Sequence, residues 1–450
     1  MIKRLHESLE FPNGWWKGAL ASAAITVLLL GCGGEGKTPE AKGADQGVAE
    51  SNEPAELSFY AASTSMTKPL FDEKIGKPVQ QKYPHYTVQY IAPNSKISDL
   101  IATGTVPDIY WLTLTEMRST LLQYRLQSDI SDLIAKNKYD LSRFDPAAVQ
   151  TIKNVSGDGK LFGLPDSFNP IVLFYNKDIF DRFGVPYPVN GMTWDAVYEL
   201  SRKMTRTESG VSYRGMGMFY RLVFNGNQLS LPLIDTVSAK PLASATPGWK
   251  RILDNVKRFY EIEGNLSGFK PGTDGGNSDL NAFLTENTMA MLMSPLSSYN
   301  RDGFQKVNWD MVSAPTFADM PQTGFQAEPR IYFISGGKNR EQAFKAVAHL
   351  LSDEVQVKNN KEGQLTSLKD TEVRKTFGQQ TAALSGKNTS AVYFNQFAPT
   401  PALNSAVSTD PATILAREFN DVIIGKQDVN TALRNTDEKV KKAIEEEAAK

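Results

Sequence analysis

From about residue 55 onwards, short apolar segments alternate with longer amphipathic ones. Alternating apolar and polar positions, together with β-branched and aromatic residues, predict strands at 56–61, 87–91 and 106–111. Apolar residues at helical spacing predict intervening helices around 71–79 and 97–101. Strands that alternate with helices favour an α/β fold with a mainly parallel sheet. Ligands bind beyond the carboxyl ends of strands in such sheets, so the residues that follow these strands are candidate binding residues.

The second half of the chain continues this pattern. A strand is predicted at 170–176, and Thr193 is a candidate N-cap for a later helix. Further helices are predicted at 249–260, 344–355 and 429–444. The α/β prediction therefore extends to the carboxyl terminus.

One long segment interrupts the regular elements. Residues 264–278 are rich in Gly and Asn, which predicts a solvated loop. Asp274, Asn277 and Asp279 carry side-chain oxygens, the ligands that calcium prefers, but their spacing does not match an EF-hand loop. A solvated loop is the favoured interpretation, and no metal site is predicted.

The amino terminus has a basic flank followed by an apolar run at 19–30. A helix needs about 20 apolar residues to cross the hydrocarbon core of a membrane, so this run is too short to span one. A basic flank before a short apolar run is typical of a signal peptide, which we predict at 1–31. Residues 32–54 contain almost no large apolar side chain, and their composition predicts a flexible tether.

The end of the apolar run reads Leu29-Leu30-Gly31-Cys32, which resembles the bacterial lipobox. This resemblance implies that Cys32 becomes the first residue of the mature protein and carries the lipid anchor. Residues 31–38 also fit the phosphate-binding pattern G-x-x-x-x-G-K-[ST], but no apolar helical stripe follows to pack behind a nucleotide loop. We interpret the match as a lipobox that continues into a Gly-rich tether. Cys32 is the only cysteine, so an intrachain disulfide is excluded.

Composition narrows the range of functions. The chain has 49 basic and 50 acidic residues, a formal net charge of −1, and no clustered basic segment of the kind that binds nucleic acid. Its three histidines, His6, His85 and His349, form no zinc-binding motif, and the nucleophile pattern G-x-S-x-G is absent. No catalytic residue and no cofactor are predicted. A glycosidase needs only two carboxylates, so a secreted enzyme acting on polysaccharide remains an alternative.

Seven segments in order resemble family 1 extracellular solute-binding proteins of ATP-driven importers, the group that contains maltose-binding protein. These segments are 83–84, 104–109, 159–165, 173–180, 192–195, 289–291 and 335–343. Two of them are Gly-Lys-Leu-Phe-Gly-Leu-Pro at 159–165 and Met-Thr-Trp-Asp at 192–195. The resemblance covers nearly the whole chain after the tether.

The resemblance implies a two-lobed periplasmic-binding-protein-like fold of type II, with hinge-connected lobes and a cleft between them. Lobe one would comprise 55–168 plus 333–366, and lobe two 169–332 plus 367–450. Three chain crossings would lie near 167–171, 331–333 and 365–369.

The resemblance also implies a role in import. The protein would be a monomer, anchored by lipid to the extracytoplasmic face of the cell membrane. There it would bind a carbohydrate, with an oligosaccharide first and another polar solute as the alternative, and deliver it to permease subunits of an ABC importer.

Binding residues are sought where strands end at the cleft. Ser63, Thr64 and Ser65 follow the first strand, and Trp111 closes the third. Asp166 follows the Gly-Leu-Pro segment, where a carboxylate could accept hydrogen bonds from two sugar hydroxyls. The alternatives are turn residues for 63–65, core packing for Trp111, and a helix cap or surface charge for Asp166.

The aromatic side chains that stack on sugars differ from the family pattern. Ser294-Pro295-Leu296 aligns with a family stretch Gly-Pro-Trp and lacks its tryptophan, which argues against maltodextrin as the ligand. Ser294 remains a candidate contact, and Tyr299 and Phe325 are candidates to supply the missing stacking surface. Trp309 is expected to pack in the core instead.

Overall fold

The computed structural model describes residues 53–156, 159–270, 277–402 and 410–449. The predicted signal peptide, Cys32, the phosphate-loop match and all but the last two residues of the predicted tether lie outside these ranges. Within the described residues, the strands are β1 (Ala55–Ala61), β2 (Tyr86–Ile91), β3 (Ile109–Leu112), β4 (Gly163–Phe168), β5 (Ile171–Asn176), β6 (Arg206–Glu208), β7 (Val211–Met218), β8 (Met289–Pro295), β9 (Trp309–Ser313), β10 (Thr323–Gln326), β11 (Pro329–Ile334) and β12 (Gln396–Ala398).

The helices fall mostly between these strands. They are α1 (Lys68–Phe71), α2 (Lys77–Lys82), α3 (Ile97–Ala102), α4 (Leu114–Met117), α5 (Ser131–Lys136), α6 (Pro146–Ser156), α7 (Lys177–Phe183), α8 (Trp194–Met204), α9 (Tyr220–Asn225), α10 (Pro247–Tyr260), α11 (Asn277–Leu284), α12 (Arg340–Leu350), α13 (Asp353–Lys361), α14 (Thr371–Arg374), α15 (Pro411–Ile423) and α16 (Val429–Ala448). The predicted strands and helices are confirmed at the level of elements, except that the single helix predicted at 344–355 is wrong. Two helices, α12 and α13, occupy this stretch, because Ser352 caps the start of α13 through the Val355 backbone N–H. Thr193 caps α8 as expected, because its side chain accepts a hydrogen bond from the Ala196 backbone N–H.

The first sheet has the strand order β2-β1-β3-β11-β4. β1 runs parallel to β2 and β3, whereas β11 is antiparallel to both β3 and β4. Because of these strand directions, the carboxyl ends of β1, β3 and β4 and the start of β11 lie at one edge of this sheet. Leu57 and Phe59 of β1 and Val347 of α12 belong to one buried apolar cluster.

The second sheet has the strand order β6-β7-β8-β5-β9. Only β7 and β8 pair in parallel in this sheet, so the prediction of a mainly parallel sheet is wrong here. Along β5, Val172 and Phe174 belong to one buried cluster, and Leu173 and Tyr175 belong to another. Both faces of the sheet are thus covered, which explains why β5 is a continuous apolar run rather than an alternating one. A short parallel pair, β10 with β12, lies outside the two main sheets.

Three segments connect the two sheets. The first links β4 to β5, and the second runs from β9 through β10 to β11. The third lies within 365–377, where Leu365 and Phe377 pack with the second sheet while Leu368 and Val373 pack with the first.

The lobe boundaries stay predictions. The predicted boundary at 333 falls inside β11, which pairs with β4 of the first sheet from Pro329 onwards.

The loop prediction for 264–278 is wrong at its carboxyl end, because α11 begins at Asn277. Asp279 is fully buried and accepts a hydrogen bond from Arg214 Nη2 at 2.7 Å. Its other oxygen accepts hydrogen bonds from the Met218 backbone N–H and the Tyr260 hydroxyl. Asp279 therefore stabilises the interior beside the second sheet and is not available as a calcium ligand, while Asp274 lies outside the described residues.

Two features are absent from the described residues. None of the described helices is long and apolar enough to cross a membrane. No group of three or more His, Cys, Asp or Glu side chains in the described ranges is placed to hold a metal ion.

Candidate ligand-binding cleft

A pocket lies between elements of the two sheets. On the side of the first sheet it is lined by Leu114, Thr115 and Arg118, which follow β3. On the side of the second sheet it is lined by parts of 224–234, 400–402 and 410–411, and residues 326–328 of the second connecting segment complete it. Its position beyond the carboxyl end of β3 is the one that open α/β sheets use for ligands.

A capping box holds the wall of the pocket that lies on the side of the first sheet. Thr113 accepts a hydrogen bond from the Glu116 backbone N–H, and Glu116 in turn accepts one from the Thr113 backbone N–H at 2.8 Å. Arg330 of β11 donates to the same Glu116 carboxylate at 3.3 Å. These contacts hold α4, and with it the segment that carries Arg118, against the end of the sheet.

Arg118 points one guanidinium nitrogen into a dry environment. The side chain is half-buried, and its Nη1 is buried without a hydrogen-bond partner among the described residues. Burial lowers the pKa of Arg118, and only the charge of Asp410 acts in the opposite direction. Because arginine stays protonated in proteins, Arg118 places a positive charge beside the pocket.

Two carboxyl groups face the same pocket. Asp410 caps α15 through the Ala412 backbone N–H and accepts a hydrogen bond from Arg221 Nη1 at 3.3 Å. Burial raises the pKa of Glu328; the charges of Glu116 and Asp410 add to this effect, and those of Arg330 and Arg221 oppose it. The pocket therefore combines acceptors and donors from both of its walls.

The remaining wall is apolar and rigidly held. Asn227 donates to the Leu231 carbonyl and accepts from the Leu231 backbone N–H, while Trp249 Nε1 donates to the Pro232 carbonyl at 3.1 Å. Trp249 and Phe224 are themselves almost fully buried, so their ring faces are packed in the protein. The other apolar residues of the lining are Leu, Ile, Pro and Ala.

Trp111 and Asp166 are brought together by the fold, but as partners of each other. Trp111 Nε1 donates to Asp166 Oδ2 at 2.9 Å, and the carboxylate also accepts from Gln356 and Gln364 at 3.2 and 2.7 Å. The guanidinium of Arg330 lies 4.3 Å from the centre of the Trp111 ring. Asp166 is fully buried, and burial raises its pKa against the opposing effect of these hydrogen bonds.

The three predicted residues after β1 form a turn at the same edge of the first sheet. The Ser63 and Ser65 hydroxyls are 2.7 Å apart, and the Met66 backbone N–H donates to the Ser63 carbonyl. Thr64 and Ser65 are exposed and Ser63 is half-buried. They lie where the sequence places them, outside the pocket lining.

The predicted residues of the second half are buried. Ser294 shares a 2.6 Å hydrogen bond with Ser298, the Tyr299 hydroxyl donates to the Gly363 carbonyl, and Phe325 packs edge-on against Trp194. Trp309 lies in the core, as expected. None of the eight residues proposed from the sequence lines this pocket.

The sequence pattern could not identify the residues that line the pocket. Arg118, Glu328 and Asp410 belong to three distant parts of the chain, and no local spacing connects them. The only local signal is Asp410-Pro411, a pair typical of a helix start.

Comparisons with known proteins agree with this architecture. The family profile of bacterial extracellular solute-binding proteins matches residues 62–357, and the chain belongs to that family. The family resemblance found in the sequence is thereby confirmed. This is a family of extracellular binding proteins, so the coarse location is outside the cytoplasm.

Solved structures show the same fold at low sequence identity. An ABC substrate-binding protein from Listeria monocytogenes in complex with cycloalternan is 22% identical, with a TM-score of 0.63 over 87% of this chain and 100% of that one. A sugar transporter protein from Rhizobium etli in an open conformation is 18% identical, with a TM-score of 0.66 over 86% and 99%. The sugar-binding protein MalE from Xanthomonas citri is 16% identical, with a TM-score of 0.64 over 87% and 98%. The predicted type II fold is confirmed.

Proposed function

We propose that the protein captures a carbohydrate, with an oligosaccharide as the first candidate, and delivers it to the permease of an ABC importer. The observation that carries this proposal is the pocket between elements of the two sheets, which presents Arg118, Glu328 and Asp410 beside an apolar wall. Sugars offer hydroxyl groups at the ring edge and C–H groups on the ring faces, and this combination of polar and apolar surfaces suits them.

Family membership and the structural neighbours support the same assignment. The neighbours from Listeria monocytogenes and Xanthomonas citri are described as an ABC substrate-binding protein with bound cycloalternan and as a sugar-binding protein. A non-sugar polar solute is the alternative that the same pocket would accept.

The location of the mature protein is part of the proposal. Lipid attachment at Cys32 would hold a monomeric binding domain at the extracytoplasmic face of the cell membrane, beside its permease. A single acyl chain gives only marginal membrane binding, so the attached lipid would need at least two chains for a stable anchor.

Thermal unfolding of the purified protein with a panel of saccharides tests the proposal. A ligand that binds only the folded protein at 100 times its Kd stabilises it by about 2.7 kcal/mol. We expect such a shift with one class of saccharide and none with unrelated solutes. Absence of a shift with every saccharide would contradict carbohydrate binding, and cleavage of the bound saccharide would identify an enzyme instead.

A matched pair of variants locates the site. Thr115→Trp places a large ring in the pocket from an exposed position, so we expect it to weaken saccharide binding at least about tenfold, equivalent to about 1.4 kcal/mol. Ser119→Trp adds the same ring at an exposed position outside the pocket lining and should leave the affinity unchanged. Equal affinities in both variants would place the ligand elsewhere.

A further inference from the structure

We propose that Glu328 determines which saccharide this pocket accepts, by taking hydrogen bonds from two adjacent hydroxyl groups of the bound sugar. This inference rests on the proposed carbohydrate-binding function and assigns a specificity-determining contact within it. It starts from the hydrogen-bond partners of the carboxylates that line the pocket.

Of the two carboxylates in the described lining, only Glu328 has unoccupied oxygens. Asp410 uses both of its oxygens, one for the Ala412 backbone N–H at 3.1 Å and the other for Arg221 Nη1 at 3.3 Å. Glu328 forms no hydrogen bond and no ion pair within the described residues. An ionised carboxylate only accepts hydrogen bonds, and its two oxygens offer about four acceptor positions. The donors for Glu328 must therefore come from water or from a ligand.

The Glu328 carboxylate is also within reach of a ligand. Its side chain is half-buried, and neither of its oxygens is enclosed by the surrounding protein. Arg118 Nη1 is enclosed, so a molecule in the pocket can touch the carboxylate but not that nitrogen. Glu328 therefore combines unoccupied acceptors with access to the pocket.

The backbone around Glu328 is held from both sides. The Gln326 backbone N–H donates to the Gly226 carbonyl at 2.9 Å, and the Gln326 side chain donates to the Asn227 carbonyl at 2.9 Å. Pro329 begins β11 and pairs with β4 of the first sheet. The carboxylate thus projects from a fixed point between the two sheets, and an acceptor that is positioned before the ligand arrives loses little entropy on binding.

The charges around the pocket favour hydroxyl donors over an ammonium group. Arg221 pairs with Asp410 at 3.3 Å, so together they add no net charge. Arg330 and Glu116 form a second such pair at the same distance. Arg118 adds a positive charge to the lining. An ammonium group in the pocket would meet this positive charge, whereas hydroxyl groups bring none.

A carboxylate in this position discriminates among saccharides. Two adjacent hydroxyls on a sugar ring supply two O–H donors side by side, one for each oxygen of the carboxylate. A saccharide that lacks one of these hydroxyls leaves an oxygen without its donor, and sites that depend on a ligand hydroxyl reject analogues without it. The specificity of the pocket therefore depends on where the ligand carries a free pair of adjacent hydroxyls.

Isothermal titration with neutral disaccharides and their monodeoxy derivatives tests the inference. The probes are mannobiose, cellobiose and galactobiose, each with derivatives that lack one hydroxyl at a time. For the disaccharide that binds best, we expect two adjacent positions at which removal of the hydroxyl weakens binding about tenfold or more, because a hydrogen bond to a charged group is lost. An amino group in place of either hydroxyl should give no tighter binding than the parent disaccharide.

Glu328→Met keeps the length of the side chain and removes both acceptors. We expect it to weaken binding of the parent disaccharide about tenfold or more and to abolish the penalty at the two deoxy positions, which a purely structural role would not do. Glu328→Gln retains one acceptor, and its affinity should fall between those of Glu328→Met and the wild-type protein. Glu438→Met is the control, because Glu438 is exposed and lies outside the lining. The melting temperature of each variant shows that it is folded.

The outcomes separate this inference from the function on which it rests. Unchanged saccharide binding in folded Glu328→Met, or deoxy penalties that persist in that variant, would overturn the inference and leave carbohydrate capture intact. Tighter binding of an amino derivative would overturn it as well. Failure to bind any saccharide would overturn both.

Discussion

Replacing Asp279 by alanine is expected to lower the free energy of unfolding by about 3 to 5 kcal/mol, because it leaves a buried arginine without its counter-ion. The side chains of Arg214 and Asp279 are only 2% and 1% exposed, so water cannot take the place of the carboxylate. The same change removes the acceptor for the Tyr260 hydroxyl and the Met218 backbone N–H. Chemical denaturation followed by circular dichroism measures the effect.

Two further variants make this prediction specific. Asp254→Ala removes an ion pair with Lys250 in which both side chains are about half exposed, and it should change stability by less than about 1 kcal/mol. The double variant Arg214→Met with Asp279→Leu should lose less stability than Asp279→Ala, because apolar replacement of both partners leaves no unpaired charge. Equal losses for Asp279→Ala and Asp254→Ala would show that the buried pair contributes little.

Replacing Asp166 by alanine is expected to lower the free energy of unfolding by about 3 kcal/mol, because buried donors lose their common acceptor. Within the described residues Trp111 Nε1 has only this carboxylate as a partner, whereas Gln356 Nε2 also donates to the Leu350 carbonyl. The exposed Asp195→Ala, whose side chain is 74% exposed, is the control and should change stability by less than about 1 kcal/mol.

The loss at Asp166 should depend on pH in a defined direction. Its pKa is raised in the folded protein, so its stabilising contribution is complete below the ordinary aspartate pKa of about 4 and declines as pH rises through the raised value. The stability difference between the wild-type protein and Asp166→Ala should therefore be largest in acid and smaller at neutral pH. A difference that grows with pH would contradict the raised pKa.

Asp166 also lies where the segments that connect the two sheets run side by side. The side chain of Gln364, which precedes the third segment, donates a hydrogen bond to the Asp166 carboxylate. The backbone carbonyl of Asp166 accepts a hydrogen bond from the Ser367 backbone N–H. Arg330, near the second segment, lies over the ring of Trp111, the hydrogen-bond partner of Asp166. Removing the Asp166 side chain should therefore disturb the connection between the sheets as well as the interior of the first sheet.

Trp111 and Asp166 show how far sequence reasoning reaches at a single site. Their placement near strand ends at one sheet edge followed from the α/β pattern. The sequence left open whether they contact a ligand or pack internally. In the structure the indole and carboxylate satisfy each other, since a buried N–H and a buried carboxylate both need partners.

The alternation of strands and helices over 55–112, the helix start at Thr193 and the family were determined by the sequence alone. Each of these depends on spacing and capping among residues a few positions apart, or on short segments in a fixed order. The ion pair of Arg214 with Asp279 and the pocket of Arg118, Glu328 and Asp410 were decided only by the tertiary structure. Their members are distant in the chain, and the burial that governs their charges exists only when the sheets and connecting segments have packed.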